Sequence, residues 1–162
     1  LEKSMVKVES GICTDGGNER LAPETYEAFK ALYAAIPGHL KAKDSEYGKL
    51  SSGFRSYADQ AVIFQKAVEK NKKANPKLTQ AEAEKVTRKW NAKPGTSAHH
   101  TGNAVDLWMG WPMSSTNAKK MSNKKGPQYQ KHGEFWEWLK ANAPTFGFLP
   151  YSSEPWHWEK WK

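Results

Sequence analysis

The chain has a single cysteine, Cys13, among its 162 residues. One cysteine excludes a disulfide within the chain and a zinc site built from several cysteines. It is compatible with any cellular compartment, and the ordinary role of a lone cysteine is that of a small buried residue. Any functional site must therefore be sought among other residue types.

Long apolar runs are also missing. No segment approaches the roughly 20 consecutive apolar residues that a membrane-spanning helix needs. The opening LEKSMVKVES lacks both the apolar core of a secretion signal and an initiator methionine. Such a start is compatible with earlier removal of an export signal. The sequence has no internal repeats, and its length predicts one domain over residues 1–162 without a membrane span.

The charge is not balanced, and the chain carries a formal net charge of +8. A basic excess favours anionic surroundings such as nucleic acid, acidic wall polymers or carboxylate-bearing substrates. Much of it comes from two lysine-rich segments, residues 69–77 and 117–125, which also contain Asn, Ser and Pro. Neither segment has aromatic residues on which bases could stack. We therefore expect solvated surface there and no nucleic-acid partner.

Hydrophobic spacing and capping signals predict four helices, over residues 21–38, 56–70, 79–90 and 129–144. Short strands are predicted over 49–56 and 103–111, and strand-like structure over 146–161. A polar segment over 112–127 is the longest predicted loop. Helices mixed with short strands, without regular alternation, predict an α+β domain.

The segment SAHHTGNAVD, residues 97–106, contains adjacent histidines and one aspartate. Fully extended, it would separate His99 and Asp106 by roughly 23 Å, so the two can bind one metal ion only if the chain bends between them. Gly102 is the residue at which a tight bend costs least. Asp106 then lies on a strand whose other face is apolar, and a buried carboxylate needs a partner such as zinc. Residue chemistry alone does not choose between His99 and His100.

The segment EPWHWEKW, which begins at Glu154, contains the strongest further candidate, because His157 has tryptophan on both sides and Glu154 three residues before it. His39 and His132 lie in polar contexts and are expected at the surface. Pro155 makes a regular strand ladder unfavourable, so we expect a kink that brings Glu154 over His157. Glu154 would then be a general base and not a metal ligand.

Arg55 ends a predicted short strand, immediately before a capped helix. A guanidinium group fixed at this point could bind a carboxylate or stabilise an oxyanion. The alternative is an ordinary surface salt bridge. The residues alone leave both interpretations open.

Three separated motifs resemble the zinc D-Ala-D-Ala carboxypeptidases of the VanY type, in the wider group that contains lysostaphin and the hedgehog zinc domain. The Ser-x-His-x-x-Gly-x-Ala-x-Asp motif of that family is matched by Ser97, His99, Gly102, Ala104 and Asp106. Its Glu-Pro-Trp-His motif is matched by residues 154–157. Its Gly-aromatic-Arg-Ser-x-x-x-Gln motif is matched by Gly53, Phe54, Arg55, Ser56 and Gln60. The motifs occur in the family's order, and the resemblance covers most of the chain.

The resemblance implies a central, mainly antiparallel sheet flanked by helices, with a zinc site in a cleft on the sheet. It implies that His99, Asp106 and His157 bind Zn2+ and that Glu154 is the catalytic base. Arg55 would steady the substrate and the tetrahedral intermediate. Ser97 and Gln60 would line the substrate pocket.

The resemblance also implies a substrate, the peptidoglycan stem peptide, and therefore a periplasmic, extracellular or wall location. We expect a monomeric enzyme that releases C-terminal D-Ala as a D,D- or L,D-carboxypeptidase. A wall endopeptidase and a non-catalytic zinc-containing binding module are the alternatives. The segment LPYSS, residues 149–153, departs from the family because it is short and lacks the Arg-Tyr-Pro and Thr-Gly elements. This departure leaves the scissile bond open.

Overall fold

The computed structural model describes residues 1–14, 17–110, 127–151 and 154–161, with side chains of the helix near residue 130 described from 133 onward. The chain divides into two compact units. Unit 1 consists of Leu1–Phe54 together with Thr101–Lys162, and unit 2 consists of Arg55–His100. The single domain over residues 1–162 stays a prediction. Within the described residues, no helix has the length and apolar character that crossing a membrane requires.

Unit 1 contains a four-stranded antiparallel sheet in the order β3-β4-β6-β5, and a separate two-stranded pair, β1 with β2. The strands are β1 (Val6–Lys7), β2 (Arg20–Leu21), β3 (Leu50–Ser52), β4 (Ala104–Leu107), β5 (Phe148–Tyr151) and β6 (Glu154–Lys160). The predicted α+β class and the central antiparallel sheet are confirmed. The first two strands were not predicted, since two residues are too few to show an alternating pattern.

Among the described residues, five α-helices accompany these strands, three in unit 1 and two in unit 2. They are α1 (Pro23–Ala35), α2 (Gly38–Lys43), α3 (Tyr57–Ala74), α4 (Gln80–Thr87) and α5 (Pro127–Asn142). The first helix was predicted to end at residue 38, but α1 ends at Ala35 and Pro37 is the N-cap of α2. His39 therefore lies in the first turn of a second helix. The predicted loop over 112–127 falls almost wholly outside the described residues.

The core of unit 1 is formed by α1, α5 and the sheet. The helical spacing of α1 predicts one buried face, and Phe29, Leu32 and Ile36 are indeed 0–5% exposed. Cys13 is buried in the same cluster, in agreement with the role expected for a lone cysteine. Trp158 on β6 is the largest fully buried side chain in the part of the chain that the structure describes. Burial of this apolar surface fixes the sheet on which the site residues lie.

Unit 2 consists mainly of α3 and α4, and both helices begin as the sequence predicts. The hydroxyl of Ser56 accepts a hydrogen bond from the Asp59 N–H at 3.1 Å. Thr79 and Glu82 form a complete capping box at the start of α4. The helix α3 continues to Ala74, past its predicted end near residue 70. The unit's buried cluster is small and consists of Phe64, Val68 and Ala83, with Leu78 packed against it.

Gly102 bends the chain in the way that the spacing of the histidine and aspartate requires. Its φ is +75°, in the left-handed region that side chains rarely adopt. A Cβ atom there would also lie 2.3 Å from the sulfur of Met5 and 2.9 Å from the main-chain nitrogen of Ala22. The predicted bend is confirmed, and the packing of unit 1 leaves no room for a side chain at position 102.

Candidate metal centre

The sheet places Asp106 and His157 directly opposite each other on the neighbouring strands β4 and β6. Residues opposite each other in an antiparallel pair project from the same face of the sheet. An Asp106 carboxylate oxygen, Oδ1, lies 2.8 Å from Nδ1 of His157, and the residues are 8% and 7% exposed. The next pair, Val105 and Trp158, is fully buried in the core. Strand register therefore brings together two residues that are 51 positions apart in sequence.

The surroundings of His157 are anionic. Burial lowers the pKa of its imidazole, but the hydrogen bond and charge of Asp106 oppose this effect, with additional contributions from the charges of Glu154 and Glu159. The net result is a His157 pKa above its ordinary value of 6.5. Nε2 of the same ring lies 3.5 Å from a Glu159 carboxylate oxygen. Negative charge around a buried imidazole favours the binding of a cation at this point.

The strand β6 is irregular near Pro155, as the sequence predicts. Its pairing with β5 shifts between Pro150, which lies opposite Trp158, and Tyr151, which lies opposite Glu154. The ring of Tyr151 packs edge-on against the His157 ring, with centroids 5.5 Å apart, and the residue is 50% exposed. Sequence reasoning missed Tyr151, although an aromatic residue so close to the Glu-Pro-Trp-His motif was an available signal.

His99 lies in a short 3-10 helix, Ala98–Thr101, and is 4% exposed. The hydroxyl of Ser97 accepts a hydrogen bond from the His99 N–H at 3.2 Å. The His99 carbonyl accepts one from the Arg55 N–H at 3.1 Å. His99 is therefore held by main-chain hydrogen bonds to residues that the sequence also singled out.

Arg55 and Gln60 contact each other directly within unit 2. The guanidinium Nη1 of Arg55 donates to the Gln60 side-chain oxygen at 2.8 Å. The Gln60 amide nitrogen donates to the Ala92 carbonyl at 2.6 Å, and Gln60 is 2% exposed. Arg55 is itself half-buried. Gln60 thus orients the guanidinium, whereas direct contact of either residue with substrate stays a prediction.

His100 is engaged differently from His99. Its Nδ1 lies 2.7 Å from the Arg55 carbonyl oxygen, and its Nε2 accepts a hydrogen bond from the Gly95 N–H at 3.0 Å. Both ring nitrogens therefore contact the main chain. His39 is 63% exposed in its side chain and pairs with Glu134, as expected for a surface residue. The side chain of His132 lies outside the described residues.

One group in the described part of the chain has the composition of a metal site, namely His99, Asp106 and His157. Each residue offers one ligand atom, these atoms all lie within 4.8 Å of one another, and all three residues are buried. Two imidazole nitrogens and one carboxylate oxygen form a donor set that fits catalytic zinc, which takes three protein ligands and keeps one position open. The group contains the three residues that the family resemblance implies and leaves out His100.

Comparison with known proteins is consistent with this donor set. The family model described as "VanY: D-alanyl-D-alanine carboxypeptidase" matches residues 18–161. A D-alanyl-D-alanine carboxypeptidase of Enterococcus faecalis is 30% identical over 149 residues, which represent 85% of this chain and 46% of that protein. The chain thus spans less than half the length of this relative.

Solved structures give a similar result. The zinc complex of a mutant VanY, a vancomycin resistance D,D-pentapeptidase from a VanB-type cassette, is 26% identical with a TM-score of 0.62, and the match covers 94% of this chain and 78% of that one. VanYB in complex with D-alanine-D-alanine is 26% identical with a TM-score of 0.64, covering 96% of this chain and 78% of that one. The LD-carboxypeptidase LdcB, at 24% identity and a TM-score of 0.62, shares the fold over 97% of this chain and 67% of its own.

Proposed function

Since the chain belongs to the VanY family of D-alanyl-D-alanine carboxypeptidases, we propose that it is a zinc carboxypeptidase that removes the C-terminal D-Ala of peptidoglycan stem peptides. The observation that carries this proposal is the buried group of His99, Asp106 and His157, whose ligand atoms lie within 4.8 Å of one another. The VanYB structure with bound D-alanine-D-alanine supports the choice of substrate.

His99, Asp106 and His157 are the residues that would hold Zn2+. When bound, the ion supplies Lewis-acid polarisation of the scissile carbonyl and lowers the pKa of water. Asp106 and His157 are held in place by strand pairing, and the His99 main chain by its bonds with Ser97 and Arg55. Three ligands with restricted positions favour a site that selects a small divalent cation by geometry.

Glu154 is the proposed general base. It lies at the start of β6, is half-buried, and is close enough to His157 for its charge to raise the pKa of that ring. A carboxylate so placed can take the proton of the attacking water and deliver it to the nitrogen of the departing D-Ala. Its transfer of one proton from water to amine balances the hydrolysis.

Arg55 is the proposed anchor of the substrate's terminal carboxylate and the stabiliser of the developing oxyanion. A planar guanidinium group can bind a carboxylate through two parallel hydrogen bonds. The contact with Gln60 fixes the orientation of this group. Ser97 and Gln60 are only 8% and 2% exposed, so we propose that they act in the pocket mainly by orienting His99 and Arg55.

The proposed substrate lies in the bacterial wall, and we therefore propose a periplasmic, extracellular or wall-associated site of action. The stem peptide is the expected partner, and a monomer is the expected state. Cleavage inside the stem peptide or cross-bridge and metal binding without turnover are the competing outcomes of the experiment below.

Mass spectrometry of purified muropeptides incubated with the zinc-loaded protein tests the proposal. We expect the loss of one alanine from pentapeptide stems. Loss from tetrapeptide stems alone would replace the D,D activity with an L,D activity, and internal cleavage would replace it with an endopeptidase. Absence of any product would refute the enzyme proposal.

The variants Glu154→Gln and His39→Gln provide a matched pair in this assay. Glu154→Gln should lower turnover by about 10²–10⁴-fold, the usual contribution of a general base, while zinc content stays unchanged. His39→Gln removes only a contact between exposed side chains and should leave turnover at the wild-type level. Full activity in Glu154→Gln would show that another residue moves the proton.

A further inference from the structure

We infer that His100 is a positioning residue, whose ring donates from Nδ1 and fixes the main chain of Arg55; the inference rests on the function proposed above for Arg55. The Arg55 carbonyl 2.7 Å from Nδ1 can only accept a hydrogen bond, so Nδ1 must carry a proton. The Gly95 N–H 3.0 Å from Nε2 can only donate, so Nε2 must be bare. Only one uncharged tautomer satisfies both contacts.

The same contacts hold the Arg55 main chain at both of its polar groups. Its N–H donates to the carbonyl of His99 at 3.1 Å, and its carbonyl accepts from His100. Arg55 lies outside regular secondary structure, so these groups have no helix or strand ladder to join. Two consecutive residues, His99 and His100, thus supply hydrogen-bond partners for the main-chain N–H and carbonyl of Arg55.

The His100 ring also joins two segments of unit 2, residues 55–57 and the turn at Gly95. Its face stacks on Tyr57, in the first turn of α3, with ring centroids 6.3 Å apart and planes inclined by 20°. Its Nε2 holds Gly95, whose φ of +91° marks a tight turn. A single imidazole therefore ties the segment that contains Arg55 and the start of α3 to this turn.

The consequence concerns the Arg55 side chain, which is fixed at its far end by Gln60. Without His100, the Arg55 carbonyl loses the hydrogen bond from Nδ1, and the main chain that carries the guanidinium group is held less firmly. A displacement of about 1 Å at a substrate-binding group can cost up to about 10²-fold in rate. His100 has this effect through Arg55, without contact with the reacting atoms.

Two substitutions separate the polar role of His100 from its packing role. His100→Phe keeps a flat ring for Tyr57 and removes both polar atoms. His100→Gln supplies an amide N–H and an amide oxygen, and so can restore the donor and the acceptor. We expect His100→Phe to lower kcat/KM on a D-Ala-D-Ala-terminated peptide by about 10–100-fold, with substantial recovery in His100→Gln and unchanged zinc content in both.

A double-mutant cycle shows whether the effect passes through Arg55. In an Arg55→Ala background, His100→Phe should lower the remaining kcat/KM by less than about 2-fold, because coupled residues are not additive. An equal loss in both backgrounds would overturn the inference. A loss of zinc in His100→Phe would also overturn it, since His100 would then act through its neighbour His99.

Nuclear magnetic resonance of the wild-type protein supplies a readout independent of activity. The two-bond ¹H–¹⁵N correlations of His100 at neutral pH should show the Nδ1–H tautomer. The Arg55 carbonyl ¹³C signal should shift in His100→Phe and stay near its wild-type position in His100→Gln. An Nε2–H or charged ring would contradict the inference even if no variant folds. If muropeptides are not cleaved but the Nδ1–H tautomer is found, the proposed function fails while the assigned geometry stands.

Discussion

The two compact units hold their functional residues by different means. In unit 1, Asp106 and His157 lie opposite each other on two central strands. The next pair along these strands, Val105 and Trp158, is fully buried. In unit 2, Arg55 and His99 lie outside the long helices and are held by individual hydrogen bonds. The first pair is positioned by a sheet and a large core, the second by single side chains and single main-chain groups.

This difference determines what each unit should tolerate. A ligand on a strand keeps its position as long as the ladder and core are intact, because many weak contacts share the task. A residue held by one or two hydrogen bonds loses its position when one partner is removed. Substitutions behind the sheet should therefore act on stability, whereas substitutions around Arg55 should act on catalysis.

The largest stability effect is expected for Trp158→Ala. Trp158 is 0% exposed, pairs with Val105, and donates its indole N–H to the Pro155 carbonyl at 3.2 Å. Replacing a buried tryptophan by alanine costs about 3–5 kcal/mol. Urea denaturation measures this loss, and Trp161→Ala, at a 54% exposed tryptophan, is the matched control. Similar stability of the two variants would show that the sheet does not depend on its core in this way.

Arg55→Lys should lower kcat/KM by about 10²-fold without loss of zinc, because lysine keeps the charge but lacks the planar pair of donors. Steady-state kinetics together with metal analysis measures both quantities. Arg88→Lys is the control, since the Arg88 side chain is 50% exposed and its guanidinium forms a long ion pair, 3.8 Å, with the Glu84 carboxylate. Wild-type kinetics in Arg55→Lys would show that the planar guanidinium of Arg55 is not needed to bind the substrate or stabilise the oxyanion.

Gln60→Leu should have a smaller effect on catalysis, about 10-fold in kcat/KM, because the guanidinium of Arg55 remains but loses its fixed orientation. It should also destabilise the protein by about 1–3 kcal/mol, since the Ala92 carbonyl loses its donor. Gln65→Leu on the same helix removes only an exposed contact with Glu69. The comparison fails if the two glutamine variants behave alike.

The smallest effect is expected at the start of α4, where Thr79→Ala should cost about 1 kcal/mol without changing catalysis. The hydrogen bond from the Thr79 N–H, and then that with its hydroxyl, lowers the pKa of Glu82 from its ordinary value of 4.5. A lowered pKa in the folded state stabilises the protein above the ordinary value, and the contribution is lost as pH falls through the lowered one.

The stability difference between wild type and Thr79→Ala should therefore shrink when urea denaturation is repeated at increasingly acidic pH below 4.5. The substitution Thr145→Ala, at an exposed threonine of unit 1, is the control and should show no such trend. A difference that does not change with pH would show that Glu82 does not depend on the cap.

The parts of the fold that the sequence predicts are those fixed by neighbouring residues. Caps at Ser56 and Thr79 place the starts of α3 and α4 because a cap involves residues three positions apart. Helix α2 was missed because six residues with one buried apolar side chain, Leu40, show no period. Beyond residue 70, α3 is joined to α4 by a hydrogen bond from Asn71 to Thr87. Local sequence patterns could not predict this continuation, because the two residues are 16 positions apart.

The candidate site shows the same limit. The spacing around Gly102 predicts a bend, and Pro155 predicts an irregular ladder, because both are local constraints on the main chain. The roles of the two adjacent histidines depend on partners far along the chain, such as the Arg55 carbonyl, 45 residues from His100. The resemblance to a family could choose His99, whereas the physics of the sequence could not.

Zinc titration of four alanine variants tests the central claim most directly. The wild-type chain should bind one zinc ion per molecule by calorimetry and metal analysis, and His99→Ala, Asp106→Ala and His157→Ala should each lose that binding. His100→Ala should retain it, since its ring nitrogens contact main-chain groups of Gly95 and Arg55 and its face stacks on Tyr57. Zinc retained in His99→Ala and lost in His100→Ala would contradict the assignment of the metal ligands.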